Sequence, residues 1–142
     1  MKAPIAIALD APSLEVAINW ASQVEPYVST LKIGLETYLR DGKIAILKIR
    51  ENSPSCDIFL DLKLHDIPAT VKGACKSVAD LNPKYLTVHA SGGAEMISQA
   101  AEILPNTLIT AVTILTSLNE SSLLEIGFRE NPQQAAVELA SL

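Results

Sequence analysis

Short aliphatic runs and amphipathic helical stretches alternate along the whole chain, one pair about every 25 residues. The runs cover residues 5–9, 27–33, 57–62, 85–88 and 107–115. They are continuous rather than alternating, as strands buried on both faces read. Between them, Leu14, Ala17, Ile18, Ala21 and Val24 recur at helical spacing. So do Ile67, Val71, Ala74, Cys75 and Val78, and then Ala94, Ile97, Ala101 and Leu104. A further helical region spans 35–50, with Gly42 as a break, and a short helix is expected over 121–126. Ser13 and Asn131 stand where helices begin, the latter followed by Pro132 at the first helical position. Strand, helix, strand, helix in strict order implies an α/β fold with a parallel sheet and right-handed crossovers.

Polar residues recur where the strands end: Asp10, Lys32, Asp61 with Lys63, His89 and Thr116. Barrels and open α/β sheets both place their chemistry at strand C-termini. No GxGxxG follows the first strand and no GxxxxGK[ST] occurs, so dinucleotide-binding and P-loop folds lose ground. The expectation is a (β/α)₈ TIM barrel. A complete one takes eight strands and roughly 250 residues. These 142 residues supply five strands, and the last helical pattern stops without a glycine cap. The expected unit is therefore a single partial TIM-barrel domain over residues 1–142, an incomplete barrel with about five parallel strands and its C-terminal strands absent.

Composition narrows the partners. Only 4% of residues are aromatic, so a 49% hydrophobic chain must build its core from Leu, Ile, Val and Ala. The net charge of −5 and the pI of about 4.9 argue against nucleic-acid binding, which favours a basic face. No apolar run is long enough to span a bilayer, and the opening residues lack a signal core. Cys56 and Cys75 form no CxxC pair, and neither they nor His65 and His89 have metal-site spacing. Free thiols, no metal, no membrane and a cytoplasmic location are expected.

The densest chemistry lies in Asp61-Leu62-Lys63-Leu64-His65-Asp66-Ile67-Pro68-Ala69-Thr70, directly after the apolar Ile58-Phe59-Leu60. Asp61 and Lys63 are two apart, which puts them on one face of a regular strand. Charges beside a core are costly unless paired. Lys32 from the second strand can join them, and alternating signs hold one another ionised. A simple strand-end ion pair accounts for the triplet alone equally well. Asp66 is also placed to cap the helix that Pro68 begins. Ser91-Gly92-Gly93 reads as a tight turn before a helix rather than a phosphate loop.

Asp61-x-Lys63-x-x-Asp66-Ile67-Pro68-x-Thr70 resembles the signature of the orotidine 5′-monophosphate decarboxylase family, in its bacterial form. Ile7-Ala8-Leu9-Asp10, Leu31-Lys32-Ile33-Gly34, Thr87-Val88-His89-Ala90 and Ala111-Val112-Thr113-x-Leu115-Thr116-Ser117 resemble its other motifs, in order. The resemblance implies decarboxylation of orotidine 5′-monophosphate to UMP in pyrimidine biosynthesis, with no metal or cofactor. It implies that Lys63 protonates C6, that Asp61 lies against the substrate carboxylate, and that Lys32 and Asp10 bind the ribose hydroxyls. Asp66, Ile67 and Thr70 are implied to reach a partner subunit's site in a homodimer, and Thr116 to contact the pyrimidine region. The family's mobile phosphate loop and its Gly-Ile-Arg-type strand end have no match here, so the chain alone is expected to be inactive. Two other readings stand beside this one. One is a non-catalytic barrel fragment or interaction module. The other is a related Mg²⁺-dependent sugar-phosphate decarboxylase, against which Ile67-Pro68-Ala69-Thr70 and the lack of a second acidic site both speak.

Overall fold

The computed structural model describes residues 2–142. Five parallel strands, β1 (Ala3–Ala8), β2 (Val28–Gly34), β3 (Asp57–Leu64), β4 (Tyr85–His89) and β5 (Leu108–Val112), pair in the order of the chain. The helices between them are α1 (Leu14–Val24), α2 (Leu35–Asp41), α3 (Lys43–Asn52), α4 (Pro68–Val78) and α5 (Gly93–Ile103). After β5 come α6 (Glu120–Glu125) and α7 (Pro132–Ala140). Sequential order is the decisive feature. A doubly wound sheet reverses its strand order part-way, whereas a barrel never does. The sheet is therefore a curled part of a (β/α)₈ barrel, as the motif order implied.

The alternation of side chains across each strand divides the sheet into two faces. Leu31 and Ile33 of β2, Ile58 and Leu60 of β3, and Leu86 and Val88 of β4 point to the helical layer. There they join Ala17 and Ala21 of α1, Ile46 and Ile49 of α3, Val71 and Cys75 of α4, and Met96 and Ala100 of α5 in one core. The other face is concave and carries Thr30, Lys32, Phe59, Asp61, Tyr85 and Thr87. Its lower layer holds a cavity of about 330 Å³ over the Phe59 and Tyr85 rings, whose centroids are 5.5 Å apart. Asp61 and Lys63 lie beyond Phe59 toward the C-terminal end of β3, and Lys32, paired with Phe59 in the ladder, reaches Asp61.

Local signals account for the boundaries. Ser13 Oγ accepts from Val16 N at 3.3 Å and starts α1. Gly42, at φ +63°, separates α2 from α3 where the helical region was expected to break. Asn131 Oδ1 accepts from Gln134 N at 3.0 Å, and Pro132 opens α7. The fifth strand is shorter than expected and ends at Val112. Beyond it the backbone turns, with Leu118 N donating to Leu115 O at 3.0 Å. Asp66 does not cap α4: Ile67 takes the cap position, and the Asp66 carboxylate accepts from the adjacent Ile67 N–H at 2.7 Å instead.

Candidate active site

Three strand ends deliver one row of alternating charges. Asp10 follows β1, Lys32 sits two residues before the end of β2, and Asp61 and Lys63 occupy the upper half of β3. Lys32 Nζ lies 3.7 Å from Asp10 Oδ2 and 3.3 Å from Asp61 Oδ2. Lys63 Nζ lies 2.7 Å from Asp61 Oδ1. The row therefore runs Asp10, Lys32, Asp61, Lys63, with Asp61 ion-paired on both sides. The Asp61 side chain is 13% exposed, so neighbouring charge acts on it through little solvent. Burial pushes its carboxyl up, the largest single effect. Hydrogen bonds from Lys63 and Thr87, the Lys63 charge and the Lys32 hydrogen bond together outweigh burial and hold it below the usual carboxylate range. Asp61 is an anion at neutral pH.

The meeting of Asp61 and Lys63 does not rest on regular strand alternation. β3 pairs with β4 at Leu60↔Leu86 and next at Leu64↔Val88, so four steps on β3 oppose two on β4. Lys63 sits in this bulge at φ +46°, in the left-handed region. Its backbone N–H, out of the ladder, donates to Thr87 Oγ1 at 2.8 Å, and Thr87 Oγ1 donates to Asp61 Oδ1 at 3.0 Å. Thr87 is 3% exposed. In the sequence it stands out as a hydroxyl residue within the apolar run 85–88 and as the first residue of the Thr87-Val88-His89-Ala90 stretch.

Two further residues that carried no sequence signal brace the Asp10 end. Thr37 Oγ1 donates to Leu9 O at 3.0 Å, and Arg40 Nη1 donates to Ala11 O at 2.8 Å. Both come from α2, so the loop bearing Asp10 is tied to the helix after Lys32. Gly34 leaves room here: a Cβ on it would lie 3.2 Å from Asp10 Oδ1.

The remaining candidate residues take no part in the row's ion pairs. Asp66, Ile67 and Thr70 are exposed beyond β3, Ile67 by 66%. Thr116 is exposed on the loop after β5 and borders a cavity with Pro132 and Gln133. The His65 and His89 rings lie tilted against each other with centroids 5.2 Å apart, over a cavity of about 290 Å³ walled by Leu115, Leu118 and Phe128. Burial, and then the neighbouring His65 and Lys63 charges, push the His89 imidazole below its ordinary value.

The family model described as Orotidine 5′-phosphate decarboxylase / HUMPS family matches residues 3–142. The chain belongs to this orotidine 5′-phosphate decarboxylase family. It is 55% identical over 142 residues to the orotidine 5′-phosphate decarboxylase of Thermobifida fusca (strain YX), covering all of this chain and 60% of that protein. To the orotidine 5′-phosphate decarboxylase of Frankia casuarinae it is 42% identical, covering 99% of this chain and 57% of that one. The crystal structure of orotidine 5′-phosphate decarboxylase from Lactobacillus acidophilus superposes with a TM-score of 0.84 at 32% identity, covering 96% of this chain and 65% of that one. The chain thus spans about 60% of the length of the curated decarboxylase relatives it matches. No helix among the described residues is long and apolar enough to cross a membrane.

Proposed function

We propose that this chain carries the charge row of an orotidine 5′-monophosphate decarboxylase, acting in pyrimidine biosynthesis without metal or cofactor. The row Asp10–Lys32–Asp61–Lys63 carries this reading, with the pairs at 3.7, 3.3 and 2.7 Å. In the reaction, the bond from C6 of the pyrimidine to its carboxylate carbon breaks. The electron pair stays at C6, CO₂ leaves, and the Lys63 ammonium transfers a proton from Nζ to C6 to give UMP. Fixed cationic charge at the position where the carbanion develops stabilises the transition state without reorganisation at the moment of reaction. Asp61, held ionised, keeps the Lys63 ammonium aimed and lies against the substrate carboxylate. Lys32 and Asp10 take the ribose hydroxyls, and Thr116 approaches the pyrimidine region.

Asp66, Ile67 and Thr70 are proposed to serve the site of a second subunit in a homodimer. Their exposure supports this. Two free cysteines, both buried, support a reducing compartment, the cytoplasm. The whole of residues 1–142 is proposed to act as one partial barrel domain.

The test is a polypeptide of family length that carries this chain, assayed for UMP formation in excess chelator. Turnover is expected, and Lys63→Ala should lower kcat by at least about 10²–10⁴-fold, the range of a positioned proton donor. A Lys63→Ala protein with normal kcat would sink the assignment. Residues 1–142 assayed alone should give no turnover, because the family's phosphate-gripping arginine motif has no match among them.

A further inference from the structure

We propose that Thr87 is a positioning residue for the decarboxylase site, its single hydroxyl fixing both the backbone and the side chain of the Lys63–Asp61 pair. The inference rests on the reading of Lys63 as proton donor. Thr87 lies mid-strand in β4 between Leu86 and Val88, both fully buried on the helical side, so its own side chain faces the concave layer. The hydroxyl has one proton and two lone pairs. An ionised carboxylate is acceptor-only, so the proton goes to Asp61 Oδ1, at 3.0 Å. A lone pair is then free for the Lys63 N–H, at 2.8 Å. Asp61 Oδ1 also accepts from Lys63 Nζ at 2.7 Å. These contacts close a ring: Thr87 grips Lys63 at its backbone, Asp61 grips it at its tip, and Thr87 grips Asp61.

The ring explains why a bulge persists here. The ladder skips from Leu60↔Leu86 to Leu64↔Val88, which strips the Lys63 N–H of a strand partner. A lysine at φ +46° has no intrinsic preference for that conformation. The Thr87 hydroxyl supplies the missing acceptor, and its β-branching restricts χ1 so that the oxygen stays on the bulge. Rigid second contacts of this kind are what hold reacting groups in a productive geometry.

The experiment compares Thr87→Val, which keeps the shape and removes the hydroxyl, with Thr87→Ser, which keeps the hydroxyl. Both are made in the family-length polypeptide, and two readouts are taken. The Asp61 carboxyl is titrated by carbon NMR, which needs no turnover, and kcat and KM are measured for orotidine 5′-monophosphate. Thr87→Val should raise the Asp61 titration midpoint and lower kcat on the order of 10²-fold, the scale of a displaced catalytic group, with KM within about threefold. Thr87→Ser should stay near wild type in both. If Thr87→Val does not fold, Thr87→Ala carries the same two expectations. A folded Thr87→Val or Thr87→Ala protein with the wild-type Asp61 midpoint and wild-type kcat overturns the proposal. Wild-type protein without turnover would overturn the decarboxylase reading instead, leaving the Asp61 titration to decide the positioning role.

Discussion

The chemistry of single residues here depends on how charge is shielded and paired. Asp61 shows the balance: burial alone would favour its neutral form, and two ammonium groups with one hydroxyl reverse that. Lys63 shows the cost of placement. A non-glycine residue at φ +46° stores of order 1–3 kcal/mol, which the surrounding contacts must offset. His89 titrates in the opposite sense to a paired histidine. Its imidazole is held below 6.5 by burial and by the His65 and Lys63 charges, so the folded protein resists a proton that the unfolded chain accepts. Stability from this group is therefore complete above about pH 6.5 and declines as the pH falls below it, until the folded imidazole also protonates. Urea midpoints should drop as the pH falls through about 6.5, with part of the drop traceable to His89. His89→Gln should flatten that part of the slope. An unchanged slope would mean that the group carries no linkage.

At the scale of elements, position in the sheet decides what a side chain contributes. β3 is central, paired with β2 and β4, and its Leu60 is fully buried against the helices. β1 is an edge, and its Ile5 is 51% exposed. The two residues look alike in sequence, each within an aliphatic run. Leu60→Ala should cost about 2–5 kcal/mol, lost transfer energy plus an unfilled cavity. Ile5→Ala should cost under about 1 kcal/mol, because little area leaves water at an exposed site. Chemical denaturation of both variants checks this, and equal losses would contradict the burial pattern. The same logic explains α2: Thr37 and Arg40 spend their polar groups on the carbonyls of Leu9 and Ala11, so a helix that contributes little core still braces the Asp10 loop.

For the whole molecule, the governing fact is that a parallel sheet of five strands has two free edges. β1 and β5 each pair on one side only, and both present exposed apolar residues, Ile5 and Leu108. Unpaired edge N–H and C=O groups beside apolar side chains favour strand pairing between chains. Residues 1–142 alone should self-associate, with a weight-average mass that rises with concentration in sedimentation experiments. Lysine at positions 5 and 108 should reduce it. A strict monomer across the micromolar range would contradict the expectation. The concave face, with its cavity over Phe59 and Tyr85, is the side on which a (β/α)₈ barrel stacks layers of inward side chains.

Local rules made much of this readable in advance. Aliphatic runs, helical stripes, Ser13, Gly42 and Asn131 act within a few residues, so the element order and most boundaries were legible in the chain. The ten-residue stretch from Asp61 to Thr70 likewise pointed to the charge row, because three charges beside an apolar run need partners. What the tertiary structure alone decided is how strands far apart in sequence register on one another. The bulge at Lys63, the left-handed backbone there and the double role of Thr87 all come from the pairing of β3 with β4. Strict alternation would have put Asp61 and Lys63 together without Thr87. The structure brings them together through it, since register is a property of two strands and neither one encodes it alone.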